Sequence, residues 1–155
     1  MTDEEFMREA LATAAGAEGC TGDNPWVGCV IVSGGKIVAR GATQNPPGPH
    51  AEVVAIAAAE RAGIDLRACD LFVTLEPCSF HGRTPPCAAQ IAAKRPRRVV
   101  VGVRDPHPRV NGEGLRQLRA AGLDVREGIL ADEVRTMLHD WFARWSPENG
   151  GRNGG

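Results

Sequence analysis

The sequence contains no tyrosine among its 155 residues, and aromatic side chains make up only 5% of it. Its formal net charge of -1 leaves no basic surplus either. A groove for single-stranded nucleic acid needs both, cations to follow the phosphates and rings to stack on the bases, so the composition argues against that partner. The one basic cluster, Lys94-Arg95-Pro96-Arg97-Arg98, falls on an expected helix-to-strand connection and reads as a solvated loop. No apolar run is long enough to cross a bilayer. The N-terminus, Met1-Thr2-Asp3-Glu4-Glu5, is acidic where a secretory leader would be basic. These absences predict a soluble, cytoplasmic protein with no membrane partner. No internal repeat is seen. The five cysteines are an odd number in a chain without an export signal, which disfavours a disulfide framework and leaves metal binding or catalysis open. The length argues for one domain, over residues 1–145, with enough core to fold without a structural staple.

Thr2 and Glu5 have the spacing of a capping box, followed by Phe6, Met7, Ala10, Leu11 and Ala14 at helical intervals. This helix should fade between Gly16 and Gly19. Trp26 to Val32 and Ile37 to Arg40 flank a Ser33-Gly34-Gly35-Lys36 turn and predict a hairpin. A Pro/Gly loop, residues 44–49, leads into an Ala-rich helix from His50 to Ala62. Strands are expected at Leu71–Leu75, Arg98–Val103 and Leu123–Arg126, and helices at Cys87–Lys94, Gly114–Ala121 and Ile129–Trp145. Strands that alternate with helices after the hairpin should run parallel through crossovers. The expected fold is therefore α/β, a three-layer α/β/α sandwich on a five-stranded mixed sheet. The polar, Gly-rich residues 146–155 read as a disordered tail.

His50, Cys78 and Cys87 supply one imidazole and two thiols, and Glu52 adds a carboxylate close to the first. Three N/S donors with an open fourth position are how a catalytic zinc (Zn2+) is held, whereas a structural site closes that position. Residues two apart on a regular helix do not share a face, so His50 and Glu52 must lie in its first turn. Cys87 follows Pro85-Pro86 at another helix start, and Cys78 lies just past a strand end. All three donors thus converge beside helix N-termini, which favour thiolates. A metal there activates water, and Glu52, as the catalytic base, moves the protons. The alternatives are a closed structural zinc site or no metal. Cys20, Cys29, Cys69 and His81 are available as extra ligands, although Cys29 and Cys69, in or beside strands, read as buried inert thiols.

The stretch from Thr74 to Cys87, TLEPCSFHGRTPPC, resembles the deaminase domain of the riboflavin-biosynthesis deaminase/reductase family, in which eight residues also separate the two thiols. Asn24 to Cys29 is similar to that family's Asn-Pro-x-Val-Gly segment, Gly48 to Glu52 to its zinc helix, and Val101 to Pro108 to its Asp-Pro-Asn-Pro segment. The resemblance extends over nearly the whole chain. It implies the cytidine deaminase-like fold, zinc, and hydrolytic removal of an amino group from a small-molecule aminopyrimidine carrying a ribosyl phosphate. By position it implies that Asn24 hydrogen-bonds the substrate, that Arg83 meets its phosphate and Asp105 its sugar side, and that Ala51 lies at the same substrate site.

Three substrate-side positions depart from the family: Thr43 and Phe80 stand where it usually has His, and His107 where it has Asn. His81, beside Phe80, is a candidate replacement donor. These departures leave open a different aminopyrimidine or a nucleoside as substrate. A nucleic-acid deaminase and a non-catalytic zinc module are further alternatives. The resemblance also implies a homo-oligomer, and a reductase supplied by a separate protein. Trp141 and Trp145 share a helix face with Phe142 beside it; the three read as core packing or as a subunit interface.

Overall fold

The computed structural model describes residues 1–80 and 85–145. The expected tail at 146–155 lies outside them. Helix α1 (Asp3–Ala15) starts as its sequence predicts. Thr2 Oγ1 accepts the Glu5 N–H at 3.2 Å, and the Glu5 carboxylate accepts the Thr2 N–H at 3.4 Å. A hairpin of β1 (Gly28–Ser33) and β2 (Lys36–Ala42) follows. The chain then alternates through α2 (Ala51–Arg61), β3 (Cys69–Leu75), α3 (Cys87–Lys94), β4 (Arg98–Val103), α4 (Glu113–Ala120) and β5 (Asp124–Glu127). It ends in α5 (Ala131–Met137) and α6 (His139–Arg144).

The five strands form one sheet in the order β2-β1-β3-β4-β5. β1 pairs antiparallel with β2 and β3, while β3, β4 and β5 run parallel. Successive side chains point to opposite faces. Cys29, Ile31, Leu71, Val73, Val99 and Val101 pack against α2, α3 and α4 through Ala55, Ala59, Ile91, Leu115 and Leu118. Val30, Val32, Phe72 and Val100 meet Phe6, Met7 and Ala10 of α1 on the other side. At the ends of β3 and β4, Leu75 and Val103 form a third cluster with Leu11, Val134 and Leu138. Burial on both faces is why the central strands read as apolar runs rather than alternating ones. The result is the three-layer α/β/α sandwich with a mixed sheet.

The last helix differs from expectation. Leu130 adopts a left-handed φ of 58°, so α5 begins only at Ala131. Thr136 Oγ1 donates to the Asp132 carbonyl at 3.0 Å, a back-bond that bends helices. The helix then breaks at Leu138 (φ -103°, ψ 33°), whose side chain is buried in the core. No helix among the described residues is long and apolar enough to cross a membrane.

The basic cluster is largely paired. Arg98 bridges Asp3 and Asp70, each at 2.9 Å, and Arg97 also meets Asp70 at 2.9 Å. Lys94 reaches Glu60 at 2.8 Å. The Arg98 pairs tie the start of α1 to the first residues of β3 and β4.

Candidate metal centre and active site

Three chain segments meet at the carboxyl end of β3. His50 is the N-cap of α2, with extended backbone (φ -71°, ψ 163°), and its ring makes no capping hydrogen bond. Its imidazole is therefore free to turn while Glu52 sits in the first turn, as the two-residue spacing requires. Gly41 sets how closely α2 lies on β2: a Cβ there would collide with the Ala51 carbonyl and the Ala55 N–H of the helix. Cys78 follows β3 by three residues, and Cys87 is the first residue of α3.

His50 Nδ1 lies 3.2 Å from Cys87 Sγ and 3.8 Å from Cys78 Sγ. The three donor atoms all fall within 4.8 Å of one another. Tetrahedral zinc with ligands at about 2.0–2.3 Å holds its donors about 3.5 Å apart, so the cluster fits that ion. One nitrogen and two soft sulfurs are also the right chemistry. Among the described residues no fourth Cys, His or carboxylate joins the group, so within them the donor set is open. Cys29 and Cys69 are fully buried, and burial pushes both thiols up, as expected of inert cysteines.

The electrostatics favour a thiolate in this cluster. The Cys78 thiol is held well below its ordinary range by a hydrogen bond from Cys87, with His50 and the Cys87 N–H (3.2 Å) adding to the effect against the opposing cost of burial. Cys87 is pushed up in return by the same hydrogen bond and by burial. His50 is raised by its hydrogen bond to Cys78. Glu52 is only 3% exposed, and burial pushes its carboxyl up to about 7. A carboxyl near neutrality can both take and give a proton.

These groups line a cavity of about 540 Å³ together with Asn24, Thr43, Phe80, Asp105, His107 and Trp141. That size suits a small molecule. Thr43 Oγ1 accepts the Val27 N–H at 2.9 Å and lies 3.4 Å from the Val27 carbonyl, so this hydroxyl braces the loop against the start of β1. The Phe80 ring is 5.6 Å from that of His107, and the Arg109 guanidinium lies 4.1 Å from the Phe80 centroid. His107 Nδ1 accepts the Arg109 N–H at 3.1 Å, which leaves the proton of the neutral ring on Nε2. Asp105 is buried, and that burial raises its carboxyl although His107 N–H and Trp141 Nε1–H both donate to it.

The sequence expectations divide accordingly. Asn24, Phe80, Asp105 and His107 are brought to the cavity with Glu52 and the three donors. Ala51 is not: its side chain is fully buried in the core beneath α2 and does not line the cavity, because the first turn points it at the sheet. His81 and Arg83 lie outside the described residues. Two residues were missed. Trp141, read as packing or interface, packs on the domain and also lines the cavity. Glu76, quoted above only within the Thr74–Cys87 stretch, is a buried carboxylate on the cavity wall that accepts N–H groups from Asp105, Gly112 and Leu115 at 2.9–3.1 Å. The available signal was an acidic residue directly after a largely apolar strand and two residues before a candidate ligand.

Residues 1–103 match the family described as the cytidine and deoxycytidylate deaminase zinc-binding region. The chain is 46% identical over 142 residues to riboflavin biosynthesis protein RibD of Actinobacillus pleuropneumoniae, covering 92% of this chain and 37% of that one. It is 44% identical over 144 residues to RibD of Escherichia coli, covering 93% and 38%. Its structure superposes with a TM-score of 0.88 and 41% identity on a diaminohydroxyphosphoribosylaminopyrimidine deaminase/5-amino-6-(5-phosphoribosylamino)uracil reductase of Thermotoga maritima, covering 94% of this chain and 41% of that one. The chain thus spans little more than a third of the length of these curated relatives.

Proposed function

The chain belongs to the cytidine and deoxycytidylate deaminase zinc-binding family, and on that footing we propose that it hydrolytically deaminates the diaminohydroxyphosphoribosylaminopyrimidine named for its Thermotoga relative. One observation carries the reading: an open His-Cys-Cys donor set and a buried near-neutral carboxylate share the wall of one small-molecule cavity.

His50 Nδ1, Cys78 Sγ and Cys87 Sγ would hold the zinc. When bound, the ion supplies a Lewis acid that makes water nucleophilic at neutral pH. Glu52 is the proton carrier. Its carboxylate takes a proton from the attacking water and passes it to the ring nitrogen beside the amino-bearing carbon; it then takes the second proton from the hydroxyl now on that carbon and gives it to the amine as the C–N bond breaks. Water and a ring C–NH2 thereby become a ring carbonyl and ammonia, with Glu52 returned to its starting state. Asn24 offers an amide that can donate and accept, and Asp105 a carboxylate for hydroxyls on the far side of the substrate. Arg83 remains the phosphate partner that the family resemblance implies.

The test measures zinc content and ammonia release for wild type and Glu52→Gln, with the phosphoribosylaminopyrimidine, dCMP and cytidine as substrates. Wild type should release ammonia from the first. Glu52→Gln should keep its zinc and lose roughly 10²–10⁴-fold in rate. Undiminished release by Glu52→Gln would overturn its assignment, and release from dCMP alone would overturn the substrate.

A further inference from the structure

The Trp141 indole Nε1–H donates to Asp105 Oδ1 at 2.9 Å, and the His107 backbone N–H donates to the same oxygen at 2.9 Å. Two donors on one oxygen fix the rotation of the carboxylate. Among the described residues no hydrogen bond engages Oδ2, which leaves it for a donor arriving from the cavity that Asp105 lines. Trp141 also extends a row of rings along that wall. His107 stacks on it at 6.3 Å and 21°, and Phe80 stacks on His107 at 5.6 Å and 29°. Trp145 packs edge-on behind Trp141 at 5.8 Å and touches His107 at 4.5 Å, so the indole is held in place. Trp141 reaches the cavity from α6, past the break at Leu138 and beyond residues 1–103 that match the deaminase family.

We infer that Trp141 is a positioning residue for substrate recognition: it aims the Asp105 carboxylate into the cavity and completes an aromatic wall beside it. A fixed acceptor next to flat ring faces recognises a sugar, whose hydroxyls donate and whose C–H faces pack on rings. The inference deepens the proposed function, since the ribosyl portion is the part of that substrate it would hold.

Two measurements test it in the zinc-loaded protein. The first needs no substrate. The Trp141 indole N–H signal, assigned by its loss in Trp141→Phe, should exchange slowly with solvent in wild type and rapidly in Asp105→Ala, with the Trp26 and Trp145 signals as internal references. Exchange in wild type as fast as in Asp105→Ala would overturn the inference, whatever the substrate proves to be. The second is a kinetic cycle. Trp141→Phe should raise KM for the phosphoribosylaminopyrimidine roughly tenfold with kcat little changed, the signature of a lost binding contact. In an Asp105→Ala background the same substitution should add almost nothing, because Trp141 acts through Asp105. Additive effects, or an unchanged KM in Trp141→Phe, would overturn it. If wild type leaves this pyrimidine untouched, the substrate assignment falls, and the exchange measurement still decides the role of Trp141.

Discussion

The Glu76 carboxylate accepts the backbone N–H of Asp105 at 3.1 Å, across 29 positions of sequence. Its two oxygens also take the N–H groups of Gly112 at 2.9 Å and Leu115 at 3.1 Å. One buried side chain at the end of β3 therefore holds the connection that carries Asp105 and His107 and the first turn of α4. Gly114 completes the fit, since a Cβ there would strike the Pro77 carbonyl and crowd Glu76. Two residues further along the chain stands Cys78 of the candidate metal centre.

Glu76→Gln should destabilise the fold while sparing the metal. The substitution keeps the shape but turns one acceptor into a donor facing backbone N–H groups. A cost of about 1–3 kcal/mol follows, which lowers the thermal midpoint by several degrees. Scanning calorimetry with zinc analysis of the same sample checks both halves. An unshifted midpoint would show that the three hydrogen bonds contribute nothing.

Acid should weaken the tie between α1 and the sheet. A hydrogen bond from Arg98 holds the Asp3 carboxyl below its ordinary 3.8. Burial acts to raise Asp70, but hydrogen bonds from Arg97 and Arg98 outweigh it and keep it below 3.8 as well. A carboxyl depressed in the folded state adds stability that is fully present above its unfolded value and is lost as pH falls through the folded one. Urea midpoints should therefore drop below a pH of about 4. Arg98→Leu should lower stability at pH 7 by roughly 1–3 kcal/mol and flatten the acid limb. An equally steep limb in the variant would contradict this origin.

Zinc retention should separate the cysteines by position rather than by burial. Cys87→Ala removes a donor from the cluster, and dialysed protein should lose its metal. Cys29→Ala lies in β1 outside the donor group and should keep one zinc per chain, at the stability cost of a small cavity. Atomic absorption on both variants checks this. Metal loss from Cys29→Ala would place that thiol in the site.

Gly41→Ala should act on the metal from a distance. Its new Cβ has no room beneath α2, and displacing the helix moves His50 away from the two sulfurs. Zinc affinity should fall by an order of magnitude or more, read by competition with a chelating dye. Unaltered affinity would mean that α2 can shift without carrying its N-cap with it.

Much of this was legible in the chain because the constraints are local. The spacing of His50 and Glu52 demands a helix start and finds one, and prolines announce the starts of α2 and α3. Apolar runs gave the central strands. The thiols at Cys78 and Cys87 could be paired in advance because few other residue types bind zinc. What stayed hidden was made by distance. Nothing near Trp141 shows that its N–H meets a carboxylate 36 residues away, and a tryptophan on an amphipathic helix looks the same whether it packs or binds. Glu76 is illegible for the same reason: its partners are backbone groups 29 to 39 positions further along the chain. Thr43 and Phe80 looked like lost donors, yet Thr43 braces Val27 and Phe80 joins a row of rings. The break at Leu138 depends on burial against the sheet that no helical spacing records.

The cavity draws its chemistry from residues 50–87 and its far wall from residues 105–141. Under the proposed function, loss of Glu52 or a metal donor from the first should silence the reaction, while a change in the second should alter which molecule is held. Exchanging the later stretch for that of a relative is thus a route to new specificity that leaves the bond-breaking apparatus as it stands.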